Sequence, residues 1–527
     1  MTQDDPTPPN SLNDKREGAH PSEASSGILS TINPSVFFPA AISLVALLLF
    51  AVLTPQYAID LFQAIKGSIL TNFSWLYIFT VTFLFGFCMW LALSKHGKLV
   101  LGEADDKPEY SRASWYAMLF AAGMGIGLVF YGVAEPIAHF RSPPTGEAES
   151  LLAAENALAL TFHHWGLHAW AIYAVMGLGI AYFYYRHNLP LSLRSCFYPI
   201  FGDRINGWIG HSIDILAVFG TLFGLATSLG AGAGSVNAGL NRLIGLSNST
   251  NNQIIIIVMI TLCAMVSLVI GLDKGIRRLS ELNMMVAVVL LLCVLLTGPT
   301  IFIFERFLEG IGLYVSNFAD RSLRFGQPGT KESGWIKAWS VVYWGWWIAW
   351  APFVGIFVAR ISKGRTIRDF LLSVIFVPVA VTFFWFAVFG GTALSPEFRP
   401  GIVSAMEQAG PHADAVAVYA MLENLPFAGL LCALGVLLVT VFFVSSSDSA
   451  SYVVDVLTSG GHPNPALWQR IFWASAEGAT AAVLIYTGGD EILAGLKAGV
   501  VCFGLPFCVV LLMVCAALVK ALKTDSS

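Results

Sequence analysis

The segment AAGMGIGLVFYGVAEP (residues 121–136) sets three glycines, Gly123, Gly125 and Gly127, at alternate positions ahead of Pro136. Glycine at every second residue does not line one helix face, unlike the four-residue spacing of a membrane packing motif. Such a run instead permits unwinding. Within a bilayer, unwound backbone persists only where it is buried or lines a cavity, and its freed amides and carbonyls are then available to ligand groups or ions. The segment predicts an interrupted membrane helix, with plain helix packing as the alternative.

The rest of the chain places this segment in a membrane. Its 527 residues are 56% hydrophobic and only 12% charged, with a mean hydropathy of +0.70, which excludes a set of soluble domains. Twelve apolar stretches are long enough to cross a hydrocarbon core of about 30 Å. They lie near 36–54, 74–94, 113–133, 158–185, 211–240, 253–272, 283–304, 335–360, 370–390, 428–457, 468–486 and 492–521. None shows the ten-residue alternation of an outer-membrane strand. The expected fold class is therefore an all-α integral membrane protein of twelve transmembrane helices embedded in a lipid bilayer.

Residues 1–35, rich in Pro, Ser, Asp and Glu, are expected to form a disordered cytoplasmic tail and not a cleaved signal. The bundle covers 36–521, and 522–527 form a short cytoplasmic C-terminal tail. The basic loops DKGIRR (273–278) and ARISKGRTIR (359–368) place both termini in the cytoplasm. A net charge of -4 gives no indication of nucleic-acid binding. The eight cysteines show neither a CxxC pair nor metal-ligand spacing.

A second segment, WGWWIAWAPF (344–353), resembles another interrupted helix, five spans after the first. Five crossings reverse topology. Spans 3–7 and 8–12 are thus expected to be two inverted five-helix repeats with broken helices 3 and 8, an arrangement that points to a transporter site at the membrane midplane.

Two aromatic groups flank these breaks. In HHWGLHAWAIY (163–173), Trp165, Trp170 and Tyr173 fall within about 140° of helical arc. Trp344, Trp347 and Trp350 form a stripe on the eighth span, with Trp346 beside them. Each ring taken singly reads as core or interface packing. Together they suit a quaternary ammonium, which donates no ordinary hydrogen bond but is attracted to ring faces by about 0.5–2 kcal/mol per contact.

The tenth span carries VFFVSSSDSASYVVD (441–455), with Ser445, Ser446, Ser447, Asp448 and Ser449 at membrane depth. Hydroxyl and carbonyl oxygens suit a small hard cation, and serine-mediated helix packing is the alternative. Asp448 is not assigned as a ligand. His164 and His168, at i and i+4, have the spacing of a metal or haem pair, but no other span carries a matching pair, so they read as structural histidines. Glu135 is open between backbone capping and a mechanistic role. No catalytic motif is present, and neither an enzyme nor a cofactor is expected; a membrane haem or redox protein and a channel or sensor are the rival classes.

GMGIGLVFYGVAEP, HHWGLHAWAIY, WGWWIAWAPFVGIFVARISKGRTIRDF and VFFVSSSDSAS together resemble the betaine/choline/carnitine transporter family over roughly residues 36–521. The resemblance implies twelve spans with two inverted repeats, frequent trimers, and sodium-coupled uptake of a zwitterion. It implies an aromatic box of Trp165, Trp170, Tyr173 and Trp347, with Trp350 at an adjacent position and the amides around Gly123, Gly125 and Gly127 near the substrate carboxylate. It implies a sodium site of the backbone oxygens of Ala121, Met124 and Phe442 with the hydroxyls of Ser445 and Ser446. A second sodium site is matched at Thr221 and Phe353, but Leu225 stands where a second hydroxyl is expected.

Gly127 resembles sodium-coupled carriers of zwitterionic betaines, where proton-coupled choline carriers often have Asp. No Lys or Arg lies between Arg204 and Arg242, unlike sodium-independent carnitine exchangers. The short basic-poor C-terminus implies weak osmotic activation. Glycine betaine is the first-choice substrate, ahead of choline, carnitine, ectoine and dimethylsulfoniopropionate. The implied location is the bacterial inner membrane.

Overall fold

The computed structural model describes residues 31–123, 125–270, 272–462, 465–488 and 494–525. Most of the expected tail 1–35 therefore lies outside the described residues. The regular structure among the described residues is helical, with one isolated antiparallel bridge, Val100 to Thr366, tying two loops together. The first helices are α1 (Pro34–Leu53), α2 (Pro55–Asn72) and α3 (Ser74–Leu93). The third expected span is divided into α4 (Arg112–Gly123) and α5 (Ile126–Arg141). Further on come α6 (Leu151–Trp165), α7 (Leu167–His187), α8 (Trp208–Ile244), α9 (Thr250–Ile270) and α10 (Leu272–Thr297).

The second half contains α11 (Thr300–Ser316), α12 (Val342–Arg360), α13 (Ile367–Leu394), α14 (Ala413–Leu422), α15 (Ala428–Thr458), α16 (Leu467–Gly488) and α17 (Ala494–Thr524). Among the described residues, nine helical stretches are individually long and apolar enough to cross a membrane, and the bent pair α10–α11 brings the number to ten. Of the twelve expected spans, the third falls short because it is split, and α16 carries Gln469, Arg470 and Glu477.

Burial sorts the helices into a core and a periphery. The most apolar part of the stretch through α6 and α7 is 94% buried and that of α8 89%, whereas those of α1 and α9 are 33% and 39% buried. The peripheral helices expose aliphatic faces, such as Ile255, Val258, Met259, Leu262 and Val266 of α9, as lipid-facing surfaces do. In the core, α8 packs along α15, α7 along α12, and α12 also against α17.

Three departures from the sequence reading concern where helices stop. First, the span expected at 283–304 ends at Thr297, and the chain turns 109° into α11 across Gly298 and Pro299. Proline has no amide hydrogen and disfavours helix in the residue before it.

Second, the eighth span is not broken at WGWW. Here α12 runs unbroken from Val342 to Arg360, and the irregularity lies upstream, where Lys337–Val341 form a π turn. Gly345 does not unwind the helix. A Cβ there would stand 3.2 Å from the Val500 carbonyl, so the glycine lets α17 approach closely.

Third, an unforeseen break lies at Gly166, between α6 and α7. Its freed groups find partners: the Leu167 amide donates to the Tyr314 hydroxyl at 3.2 Å, and the Trp347 indole donates to the His164 carbonyl at 2.9 Å. Without such partners, a break in a low-dielectric interior would be costly.

Candidate functional site

The interruption between α4 and α5 and the one at Gly166 flank a cavity of about 160 Å³. It is lined by Gly125, Gly127, Trp165, Trp170, Tyr173, Trp346, Trp347, Trp350 and Phe353, and by Phe442, Ser445, Ser446 and Ser449. Residues that the sequence scatters over more than 300 positions thus share one enclosure.

Most of the ring pairs are set at steep angles. Trp165 meets Trp347 edge-on at 4.8 Å and 68°, and Tyr173 meets Trp347 at 6.4 Å and 73°. Trp170 contacts Tyr173 at 5.4 Å and 79°, while Trp346 stacks on Trp347 at 4.7 Å and 14°. Several ring faces and edges are therefore presented to one small volume, an arrangement that suits a cation without donors.

Gly127 has a steric reason. A Cβ there would lie 2.6 Å from the tip of the Trp165 ring and 3.3 Å from Trp346. Only glycine lets Trp165 stand against α5. Gly125 differs: it has extended backbone (φ -157°, ψ -179°), and a Cβ there meets nothing within 4 Å.

The tryptophan N–H groups are largely committed within the protein. Trp165 donates to Glu135 Oε2 at 2.7 Å, Trp346 to the Gly224 carbonyl at 3.3 Å and Trp347 to the His164 carbonyl. The buried Trp350 Nε1 has no hydrogen-bond partner among the described residues.

The expected sodium ligands are placed in part. Phe442, Ser445 and Ser446 line the cavity together. The Ser445 hydroxyl donates to the Phe442 carbonyl at 3.2 Å and accepts from Asn283 Nδ2 at 2.8 Å. Met124 lies outside the described residues. Ala121 and Gly123 belong to the last turn of α4, whose terminal carbonyls an α-helix leaves without intrahelical partners.

Of the second set, Phe353 lines the cavity. Thr221 does not; it is buried in α8, with its hydroxyl unpartnered among the described residues, and Leu225 is buried one turn on.

The serine run of α15 divides by face. Ser447 and Ser451 turn away from the cavity and donate to Glu477 Oε2 at 2.9 and 3.0 Å. Asp448 also faces away and accepts from Ser267 Oγ at 2.7 Å, so the structure keeps it apart from the candidate cation ligands.

Trp344 stands apart from Trp347 and Trp350. It packs on His163 and His168 at 5.4 and 5.6 Å and lines a different cavity, of about 260 Å³, bounded by the 143–156 and 317–340 segments. Trp344 and Trp347 are three residues apart on one helix, yet they line different cavities. Glu135, fully buried, accepts from both Trp165 and Tyr343 nearby.

His164 and His168 do not act as a pair. The break at Gly166 separates them, so His164 reaches Glu135 Oε1 at 2.6 Å and His168 reaches Ser322 Oγ at 2.9 Å. Glu135, His139 and His164 are close enough to surround an ion. The 2.6 Å contact, however, is a hydrogen-bond distance between ring nitrogen and carboxylate.

Sequence reasoning missed Asn283, whose lone amide near the start of the seventh span was the only signal. It also left Glu135 undecided.

Comparison with known proteins bears on what this cavity serves. The family described as betaine/carnitine/choline family transporters matches residues 35–527. The chain is 41% identical over 507 residues to a glycine betaine transporter of Acinetobacter baylyi, covering 96% of this chain and 76% of the relative. It is 42% identical over 492 residues to the glycine betaine transporter OpuD of Bacillus subtilis, covering 93% and 94%. A glycine betaine/proline/choline/ectoine transporter of Vibrio parahaemolyticus is 41% identical over 503 residues, covering 94% and 88%.

Proposed function

Since the chain belongs to the betaine/carnitine/choline transporter family, whose members are transporters and not enzymes, we propose that it takes up glycine betaine by sodium symport through alternating access. The observation that carries this reading is the shared enclosure of Trp165, Trp170, Tyr173, Trp346 and Trp347 with Phe442, Ser445 and Ser446. Rings for a trimethylammonium group and oxygens for a hard cation stand side by side. The relatives from Acinetobacter baylyi and Bacillus subtilis, both glycine betaine transporters, favour the same substrate.

In this reading the ammonium sits against Trp347 between Trp165 and Tyr173, with Trp350 at an adjacent position. The carboxylate meets the amides near Gly125 and Gly127. Sodium binds the hydroxyls of Ser445 and Ser446 with backbone oxygens of Ala121, Met124 and Phe442, and so ties the interrupted third span to α15. A second sodium at Thr221 and Phe353 lacks a second hydroxyl, so one sodium per substrate is the proposed stoichiometry.

Coupling supplies the driving force. A net-neutral betaine gains nothing from the membrane potential, but each sodium contributes about 2.3 kcal/mol per 100 mV, roughly fiftyfold in accumulation. Two separate cavities, one bordered by Trp344 and the other by Trp347, suit a carrier closed on one side. With both termini in the cytoplasm, the Trp347 cavity faces inward, because Phe353 and Phe357 lead from it toward the basic 359–368 loop.

We further propose the twelve-span topology with inverted repeats at spans 3–7 and 8–12, a single transporter unit over 36–521 between short cytoplasmic tails, a homotrimer, and residence in the bacterial inner membrane. The test is uptake of labelled glycine betaine, choline, carnitine, ectoine and dimethylsulfoniopropionate into proteoliposomes, with and without an inward sodium gradient. Glycine betaine uptake that requires sodium is expected. Uptake indifferent to sodium removes the coupling, and preference for another substrate removes the assignment.

A further inference from the structure

Glu135 lies outside the cavity lining, yet two of the cavity rings depend on it. It is fully buried on α5 and accepts four hydrogen bonds. Oε1 accepts from His164 at 2.6 Å and from His139 at 3.1 Å. Oε2 accepts from the Trp165 indole at 2.7 Å and from the Tyr343 hydroxyl. A buried carboxylate is tolerable only when its lone pairs are met by well-placed donors, so the acid and its donors hold one another in place.

The consequences converge on the cavity. Trp165 is held directly, by a charge-assisted bond that opposes rotation of the indole. Trp347 is held at one remove. His164 is fixed through its ring, which also stacks on Tyr343 at 4.7 Å and 13° and bonds Ser340 at 3.0 Å. The His164 carbonyl, left free because α6 ends one residue later, takes the Trp347 N–H. One acid on α5 thereby links α6 and α12, the two helices that carry the facing rings.

We propose that Glu135 is the positioning residue of the aromatic cavity, fixing Trp165 directly and Trp347 through His164 in the mutual geometry that receives the ammonium group. This inference rests on the cavity being the betaine site. It assigns Glu135 no contact with substrate and no part in sodium binding.

The test compares wild type, E135Q and Y343F in proteoliposomes, with uptake normalised to folded carrier. A carboxamide presents one acceptor oxygen and one donor NH2 in place of two acceptor oxygens, so E135Q cannot satisfy all four donors. The expected result is a rise in KM for glycine betaine of about tenfold, with the sodium half-saturation unchanged. Y343F, which removes one of the two donors to Oε2, is expected to raise KM by a smaller factor, about threefold.

A merely structural role would reduce the amount of active carrier and leave KM where it was, and that result overturns the proposal. If E135Q does not fold, Y343F decides: an unchanged KM overturns it. The parallel variant W347L separates the two readings. Weak binding in W347L with normal KM in E135Q removes only the positioning role, whereas normal KM in W347L removes the cavity assignment itself.

Discussion

Trp344 and Trp347, one turn apart on an unbroken helix, open onto different cavities, Trp344 beside His163 and His168 and Trp347 beside Trp165 and Tyr173. Successive turns of one face can serve different cavities, since three residues advance about 4.5 Å along the helix axis. Substitutions at the two tryptophans should therefore have different effects. In W347L the central ring of the cavity is lost, and glycine betaine affinity is expected to fall by roughly thirtyfold, as for loss of one desolvated cation–π contact. W344L is expected to change it by less than about threefold. Binding titrations on the purified variants check both, and equal losses would contradict the division.

Gly127 is expected to be intolerant of a side chain in a way that Gly125 is not. In G127A the added methyl would meet the Trp165 ring at 2.6 Å. Displacing that ring costs about 1–3 kcal/mol as overpacking and strains its bond to Glu135. G125A meets nothing and keeps an extended backbone open to any residue. Betaine affinity is expected to drop about tenfold or more in G127A and by a smaller factor in G125A, whose methyl displaces no protein atom. The comparison is read from KM in uptake assays.

Adjacent serines on α15 offer a sharper contrast. Ser446 lines the cavity, while Ser447 donates to Glu477 on the opposite face. S446A is expected to raise the sodium concentration for half-maximal uptake by about tenfold, the effect of losing one oxygen ligand of about 1.5 kcal/mol. S447A leaves Glu477 with the Ser451 hydroxyl and should alter stability and not sodium dependence. A sodium dependence unchanged in S446A would remove that residue from the cation site.

Near the C-terminal end of the described chain, Asp525 accepts from the Tyr182 hydroxyl at 2.6 Å and from Arg186 Nε at 2.8 Å. Burial works to raise its pKa, but the bonds from Tyr182 and Arg186, with the charges of His187 and Arg186, outweigh it and hold the carboxyl below its usual value. A depressed folded-state pKa stabilises the fold at pH values above the ordinary carboxylate range, and that stabilisation disappears as pH falls through the depressed value. D525N should thus lower stability by about 1 kcal/mol at pH 7, with the difference closing as pH falls below the ordinary carboxylate range. Thermal unfolding of the detergent-solubilised protein across that range measures this.

Much of the cavity could be read before any fold was known, because its residue types are conspicuous in a membrane segment. Alternating glycines at 123, 125 and 127 weaken a helix, and hydroxyls at 445 and 446 carry polar atoms into the bilayer, so both groups belong where a cavity receives them. Both flank the cavity or line it. The twin aromatic groups likewise supplied Trp165, Trp170, Tyr173, Trp346, Trp347 and Trp350. A glycine among tryptophans at 345 and a glycine among histidines at 166 look alike in sequence, yet α12 continues through the first and the chain breaks at the second.

The sequence by itself determined that the chain is a bundle of apolar helices and which residue types meet in its interior, since hydropathy and periodicity are properties of each segment alone. Only the tertiary structure decided which glycine is a break and which a close contact, because a break requires partners for its freed groups from elsewhere in the chain. Tyr314 and Trp347 supply them at Gly166, whereas at Gly345 the neighbour is the Val500 backbone. For the same reason, Glu135 became interpretable only with its four donors in view. A buried charge is defined by what surrounds it, and His139, His164, Trp165 and Tyr343 come from three different helices.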